Sequence, residues 1–206
     1  MAWGISQEEA TADEYIQWKA NNGSPGVRVN TDCGLVKSLV HPWLAATPDG
    51  FVTDPQSVPP KGLVEFKNPH SYKTMKLIDV SKAKKNTWLS MTNGKLSLKR
   101  THNYFYQVQS AMLCTETKWC DFVVRTIIDL HVERIFFDED FCTNFIPKVR
   151  YFYFDCILPQ LTDSRLPERF CEPMEWIQNI TVWHNTIDEL TDTLKSSSSN
   201  FNNNSI

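Results

Sequence analysis

The chain has 206 residues, a net charge of −3 and 41% hydrophobic residues, the balance of one globular domain with a core of its own. The charge total shows no sign of a nucleic-acid partner. No apolar run reaches the ~18 residues of a membrane span, and the polar, acidic opening "MAWGISQEEA" does not read as a secretory signal. The six cysteines include no Cys-x-x-Cys pair, so zinc-site spacing is absent and they read as reduced thiols of an intracellular protein.

Residues 6–20, "SQEEATADEYIQWKA", read as a helix. Ser6 caps it, Glu8 and Glu9 suit its positive first turn, and Tyr15, Ile16 and Trp18 form its apolar side. "NNGSPG" ends it. Over 26–67 the runs "GVRVN", "GLVKSLV", "WLAAT" and "GLVEFK" are short, apolar or β-branched and divided by turn residues, so they read as strands. The loop "TDPQSVPPKG" joins the last two as a hairpin-like excursion. Residues 69–100 hold a basic stretch hidden by the net charge: Lys73, Lys76, Lys82, Lys84, Lys85, Lys95, Lys99 and Arg100, opposed by Asp79 alone. Its plainest reading is a solvated helix-and-loop face. Residues 101–115 fit a helix, with Tyr104, Val108, Ala111 and Met112 at three-four spacing and Gln107 one turn after Tyr104. Two strands follow, "WCDFVVRTII" and "HVERIFF", then a helix from about Asp138 to Leu158 that Pro159 stops and whose apolar run "VRYFYFDCIL" belongs in a core. A short mixed segment from Leu166 leads into the polar tail "KSSSSNFNNNSI". The order predicts an α/β sandwich around one mixed sheet.

The chemistry-bearing stretch is "TPDGFVTDPQSVPPKGLVEFKNP". In an extended "VEFK", Glu65 and Lys67 share one face, since strand side chains alternate with period two. Asp49 and Glu65 are hard oxygen ligands suited to Mg²⁺, the Phe66 carbonyl lies beside them, and Lys67 can position a water, or deprotonate it if its surroundings lower its pKa. That set would hydrolyse a phosphodiester. Plainer readings stand beside it. Glu65 and Lys67 also make a surface ion pair, Asp49 a Pro-Asp-Gly turn, Glu8 a first-turn helix acid, and Tyr104 a core aromatic. Gln109 reads as packing or backbone bonding, His102 as a helix cap, and Trp43 and Trp88 as core.

Four ordered segments resemble the lambda-exonuclease-like, YqaJ-type viral recombinase family of the PD-(D/E)xK nuclease superfamily: "WGISQE", "HPWLAATPDG", "GLVEFKNP" and "LKRTHNYFYQVQSAML" followed by "WCDFVV". Thr47 stands where the family usually has serine. The resemblance implies a restriction-endonuclease-like sandwich, a central mixed β-sheet flanked by helices. It implies a Mg²⁺-dependent (or Mn²⁺-dependent) DNA exonuclease acting on ends in recombination or repair. Asp49 and Glu65 would be metal ligands, with the Phe66 carbonyl and, directly or through water, Glu8. Lys67 would serve the attacking water, Gln107 would orient Lys67 or the water, and Tyr104 would flank the substrate. Lys73, Lys76, Lys99 and Arg100 would touch DNA phosphates. The implied partners are duplex DNA ends, further copies of the chain and a single-strand annealing protein, with no membrane. The setting would be intracellular, in a nucleus, virus or mobile element.

The domain expectation is a nuclease domain at 1–160, a C-terminal extension at 161–194 and a disordered tail at 195–206. Relatives carry further helices ahead of the Trp-Gly-x-x-x-Glu segment, whereas here Met1 stands two residues before Trp3. The expectation is a truncated or shortened relative. A non-cutting DNA-binding or recombination module is the alternative.

Overall fold

The computed structural model describes residues 2–83, 88–92 and 94–162, so the readings made for Lys84, Lys85, the segment from Leu166 and the tail fall outside the described residues. The elements run in chain order as α1 (Ala2–Asn21), β1 (Arg28–Asn30), β2 (Val36–Lys37), β3 (Ala45–Ala46), β4 (Gly50–Thr53), β5 (Lys61–Lys67), α2 (Leu77–Val80), β6 (Leu89–Thr92), β7 (Lys95–Leu98), α3 (Asn103–Thr115), β8 (Trp119–Arg125), β9 (Leu130–Phe136), α4 (Glu139–Tyr151) and α5 (Leu158–Thr162). The chain divides into two units, 1–142 and 143–206.

In the first unit five strands form one mixed sheet in the order β1-β4-β5-β8-β9. The β5–β8 pair is parallel, and the others are antiparallel. The parallel pair needs a crossover, and the segment ending in α3 supplies it. Helices cover both faces, which is the α/β restriction-endonuclease-like sandwich that the sequence leads one to expect.

β5 explains the layering. Its residues Gly62 to Phe66 are all buried, because a central strand covered on both sides reads as a continuous apolar run. Leu63 joins the core beneath α3 with Cys120, Phe122, Val124, Val108 and Met112. Val64 and Phe66, one residue out of phase, join the core beneath α1 with Ala12, Tyr15, Trp119 and Val123. Gly62 is required by close approach, since a Cβ there would stand 2.3 Å from the Trp119 ring.

Behind the α1 face lies a buried ionic cluster. Asp54 and Asp121 are fully enclosed. Lys19 Nζ reaches Asp54 at 2.7 Å and Asp121 at 3.6 Å. Arg134 donates through Nε to Asp121 Oδ1 at 2.7 Å and through Nη2 to Asp54 Oδ2 at 3.3 Å, while its guanidinium lies 3.7 Å above the Trp119 ring. Tyr15 donates to Asp121 at 2.6 Å. Two acids thus meet two cations, the condition under which buried charge is tolerated.

Several expectations need correction. α1 begins at Ala2, so Ser6 lies within it as no cap and Glu8 and Glu9 lie beyond its first turn. The strand paired with β5 around the "TDPQSVPPKG" excursion is β4, "GFVT", too short to stand out beside the turn residues on either side of it. The basic stretch 69–100 is more than helix and loop, since it contains the β6–β7 hairpin. The second-unit helix passes Pro159. A π-helical turn at Phe152–Ile157 precedes it, with the Leu158 N–H bonded to the Tyr153 carbonyl. Pro159 then falls in the first turn of α5, where a missing N–H costs little. That π-helical segment contains no buried residue, and Phe154 is exposed, so "VRYFYFDCIL" is not core as expected. Among the described residues no helix is long and apolar enough to cross a membrane.

Candidate active site

Glu65 and Lys67 leave β5 on the side that faces α3. They meet as period two requires, with Lys67 Nζ donating to Glu65 Oε1. Gln107, on α3, donates from Nε2 to the same oxygen at 2.6 Å. Asp49 stands at the bend before β4, and because Gly50 pairs with Val64, the next step of the register sets Asp49 opposite Glu65. Its Oδ2 accepts the Phe66 N–H at 2.7 Å, which fixes the carboxylate on the strand that carries the second acid. A Cβ at Gly50 would fall 2.8 Å from Val64 Cγ1, so the residue after Asp49 must be small for the bend to press against β5.

Glu8 of α1 and Tyr104 of α3 complete the wall. One cleft of about 400 Å³ is lined by Glu8, Asp49, Glu65, Phe66, Lys67, Asn68, Pro69, Trp88, Tyr104 and Gln107. The Lys67 ammonium lies 4.8 Å from the Tyr104 ring centroid. His102 caps α3, accepting the Tyr104 N–H at Nδ1, and so sets where that ring begins.

The acids are electrostatically uneasy. Burial, followed by Asp49 and Glu8 working against the opposing pull of Lys67, pushes the Glu65 carboxyl up to about 7. Burial also raises Asp49, against the Phe66 N–H and Lys67. Burial and then Asp49 raise Glu8. Burial works against the charge of Lys67, but Glu65 and Asp49 outweigh it and its pKa rises. The condition for Lys67 to act as a free base, a lowered pKa, is therefore not met, and the side chain stands as an ammonium ion. Asp49 Oδ1 and Glu65 Oε2 accept no hydrogen bond among the described residues. Among those residues, too, no group of three or more His, Cys, Asp or Glu side chains is close enough to hold a metal by itself.

All seven residues named from the sequence for catalysis, metal and substrate flank (Glu8, Asp49, Glu65, Phe66, Lys67, Tyr104 and Gln107) therefore line one cleft. The basic candidates do not. Lys73, Lys76, Lys99 and Arg100 are outside its lining, and Arg100 pairs with Asp138 and covers the Phe105 ring at 4.9 Å. Gln109 bonds backbone, as expected, donating to the Phe136 carbonyl at 3.0 Å and accepting the Asp138 N–H at 2.9 Å. Trp88 is buried in the core and also reaches the cleft wall. Sequence reasoning passed over Asn68, although it sits inside the quoted "GLVEFKNP", and Thr11, which grips it from α1. A polar residue between the strand lysine and a proline was the available signal.

Residues 1–118 match the YqaJ-like viral recombinase domain. Among solved structures the fold is similar to that of an alkaline exonuclease, LHK-Exo, from Laribacter hongkongensis, with 24% identity and a TM-score of 0.53 over 75% of this chain and 67% of that chain. LHK-Exo in complex with dAMP gives 25% identity and a TM-score of 0.54 over the same shares. No curated protein gives a sequence match. With 118 of its 206 residues matched, the chain belongs to the family of YqaJ-like viral recombinase domains.

Proposed function

We propose that the protein is a Mg²⁺-dependent deoxyribonuclease, an exonuclease that hydrolyses phosphodiester bonds at duplex DNA ends in recombination or repair. The observation that carries this reading is the pair of uncommitted carboxylate oxygens, Asp49 Oδ1 and Glu65 Oε2, in one cleft beside Lys67 and Gln107. Mg²⁺ typically takes one or two carboxylates and fills its remaining positions with water and substrate phosphate, so a closed cage of three acids is not needed. Asp49 and Glu65 would hold the ion, with the Phe66 carbonyl and, through water, Glu8 as further oxygens. Mn²⁺ would serve in its place. Bound there, the cation would offset phosphate charge and acidify a water.

The protein's own part is placement. Gln107 fixes Glu65. The Phe66 N–H fixes Asp49. Lys67, as an ammonium ion, orients water and phosphate, and Tyr104 flanks the substrate. A deoxynucleoside monophosphate, the ligand in the LHK-Exo complex, is what cleavage of a terminal phosphodiester would release.

The test is digestion of linear duplex DNA with Mg²⁺, using 5′-phosphorylated and blocked ends, for the wild type, Lys67→Ala and Asp49→Asn. The wild type is expected to cut and the variants to fall to background. Equal activity in all three refutes these roles.

A further inference from the structure

We propose that the open face of β1, β4 and β5, at the other end of these strands from the cleft, is a second contact for DNA, where Arg28, Thr53 and Lys61 hold backbone phosphates. The inference rests on the nuclease reading for its partner and adds a surface that reading does not contain. It follows from the strand register. Arg28 pairs with Thr53, and Thr53 pairs with Lys61. Residues directly opposite one another across a ladder point to one face, so the three side chains form a row across three strands. Asn30, Phe51 and Leu63 form the next row, and Asp49 and Glu65 the one after it. The basic row therefore shares the sheet face of the cleft and lies about 13 Å along it.

A hollow of about 510 Å³ opens there, lined from this face by Arg28, Asn30, Phe51, Thr53 and Lys61 and by no acidic side chain. Arg28, Asn30 and Lys61 are exposed, and Phe51 and Thr53 are half-buried. Arg100, Arg125 and Arg134 are each bound to an acid. Arg28 and Lys61, by contrast, have no ion pair or side-chain hydrogen bond among the described residues, and neither has the Thr53 hydroxyl. An edge strand such as β1 needs a charge to discourage pairing with other chains, which would account for Arg28 alone. Lys61 begins the central strand of the sheet, where no edge needs guarding. Two strand spacings set the cations about 10 Å apart at their Cα atoms, with a hydroxyl between them and an aromatic ring in the next row. Donors alternating with apolar surface suit a chain of phosphates and deoxyriboses. The three acids of the cleft repel phosphate until a cation joins them, so a hold elsewhere on the duplex is what keeps DNA at the site.

The experiment measures anisotropy binding of a labelled linear duplex, with Ca²⁺ in place of Mg²⁺, over a series of salt concentrations. It compares wild type with three double variants: Arg28→Ala with Lys61→Ala, Arg28→Lys with Lys61→Arg, and Lys148→Ala with Arg150→Ala. Each phosphate contact contributes about 0.9 to the slope of log affinity against log salt. The first pair is expected to bind several-fold more weakly and to lower the slope by about 2. The charge-keeping pair should retain the wild-type slope. The third pair removes the same charge from exposed positions on α4 and should retain it too. Substitution at exposed positions should leave the melting temperature within about 2 °C of wild type. If the alanine pair melts lower, Lys61→Gln alone is read for a slope loss of about 1. A wild-type slope in the alanine pair, an equal loss in the α4 pair, or a loss in the charge-keeping pair overturns the proposal. Digestion of the same duplex by wild type with Mg²⁺ tests the nuclease reading separately. A wild type that binds without cutting sinks that reading and leaves the slopes to decide the surface, whereas one that does not bind overturns the surface.

Discussion

Asp49→Asn should make the metal-free protein more stable while removing its response to Mg²⁺. The Glu65 carboxyl titrates at about 7 in the fold against an ordinary 4.5, raised by burial first and then by Asp49 and Glu8. A carboxyl raised by folding costs nothing below its unfolded value. It costs progressively more as pH rises through the folded value, about 3 kcal/mol once fully ionised. Asn at position 49 keeps an oxygen for the Phe66 N–H and deletes the charge facing Glu65. Relief of about 1 kcal/mol is expected at pH 8, or roughly 2–4 °C in melting temperature. Thermal melts by circular dichroism in a chelator at pH 8 should therefore place the variant above wild type. At pH 4.5, with Glu65 protonated, the gap should close. In Mg²⁺ at about ten times its Kd, wild type gains about 1.4 kcal/mol and the order reverses. A variant that melts at or below wild type in chelator at pH 8, or that gains as much from Mg²⁺, would refute the picture of two acids that share Lys67 and repel each other without a metal.

Three further outcomes test the scaffold. Arg134→Ala leaves Asp54 and Asp121 with Lys19 as their remaining cation and should cost about 3 kcal/mol in urea unfolding, the usual price of breaking a buried pair. Gln109→Leu strips partners from the Phe136 carbonyl and the Asp138 N–H and should cost about 2 kcal/mol by the same assay. Burial alone would raise Asp54, but Lys19, Ser57 and the Gln56 N–H outweigh it and hold its carboxyl at about 2. Its contribution, about 2 kcal/mol, is full above pH 4 and is lost as pH falls towards 2, so the stability gap between wild type and Asp54→Asn should shrink over that window.

The site was legible because its signals are local. A strand of alternating period places Glu65 beside Lys67 with no knowledge of the rest, and a Pro-Asp-Gly bend places an acid next to the strand that follows. The plain reading of Glu8 as a first-turn acid fails for an equally local reason: the helix starts six residues earlier. What the sequence concealed is long-range. Tyr15, Lys19, Asp54, Asp121 and Arg134 come from four segments, and nothing in any one of them announces that their charges will be enclosed together. Pro159 misled because a widened helical turn upstream lets a helix continue where a proline ordinarily ends it. The β6–β7 hairpin, which holds the single lysine Lys95, was masked by the lysines that flank it in sequence, a pattern that fits a solvated helix face as readily.

α1 carries Glu8 and Thr11 near one end and is anchored through Tyr15 and Lys19 towards the other. From residue 8 to residue 19 the helix rises about 16 Å. A tilt of the helix at the ionic cluster would carry Glu8 with it at the mouth, opposed by Arg125, which holds Gln7 and Glu14. Substitutions far behind the sheet, among side chains no nucleotide could reach, would then be felt as misaimed chemistry as well as lost stability.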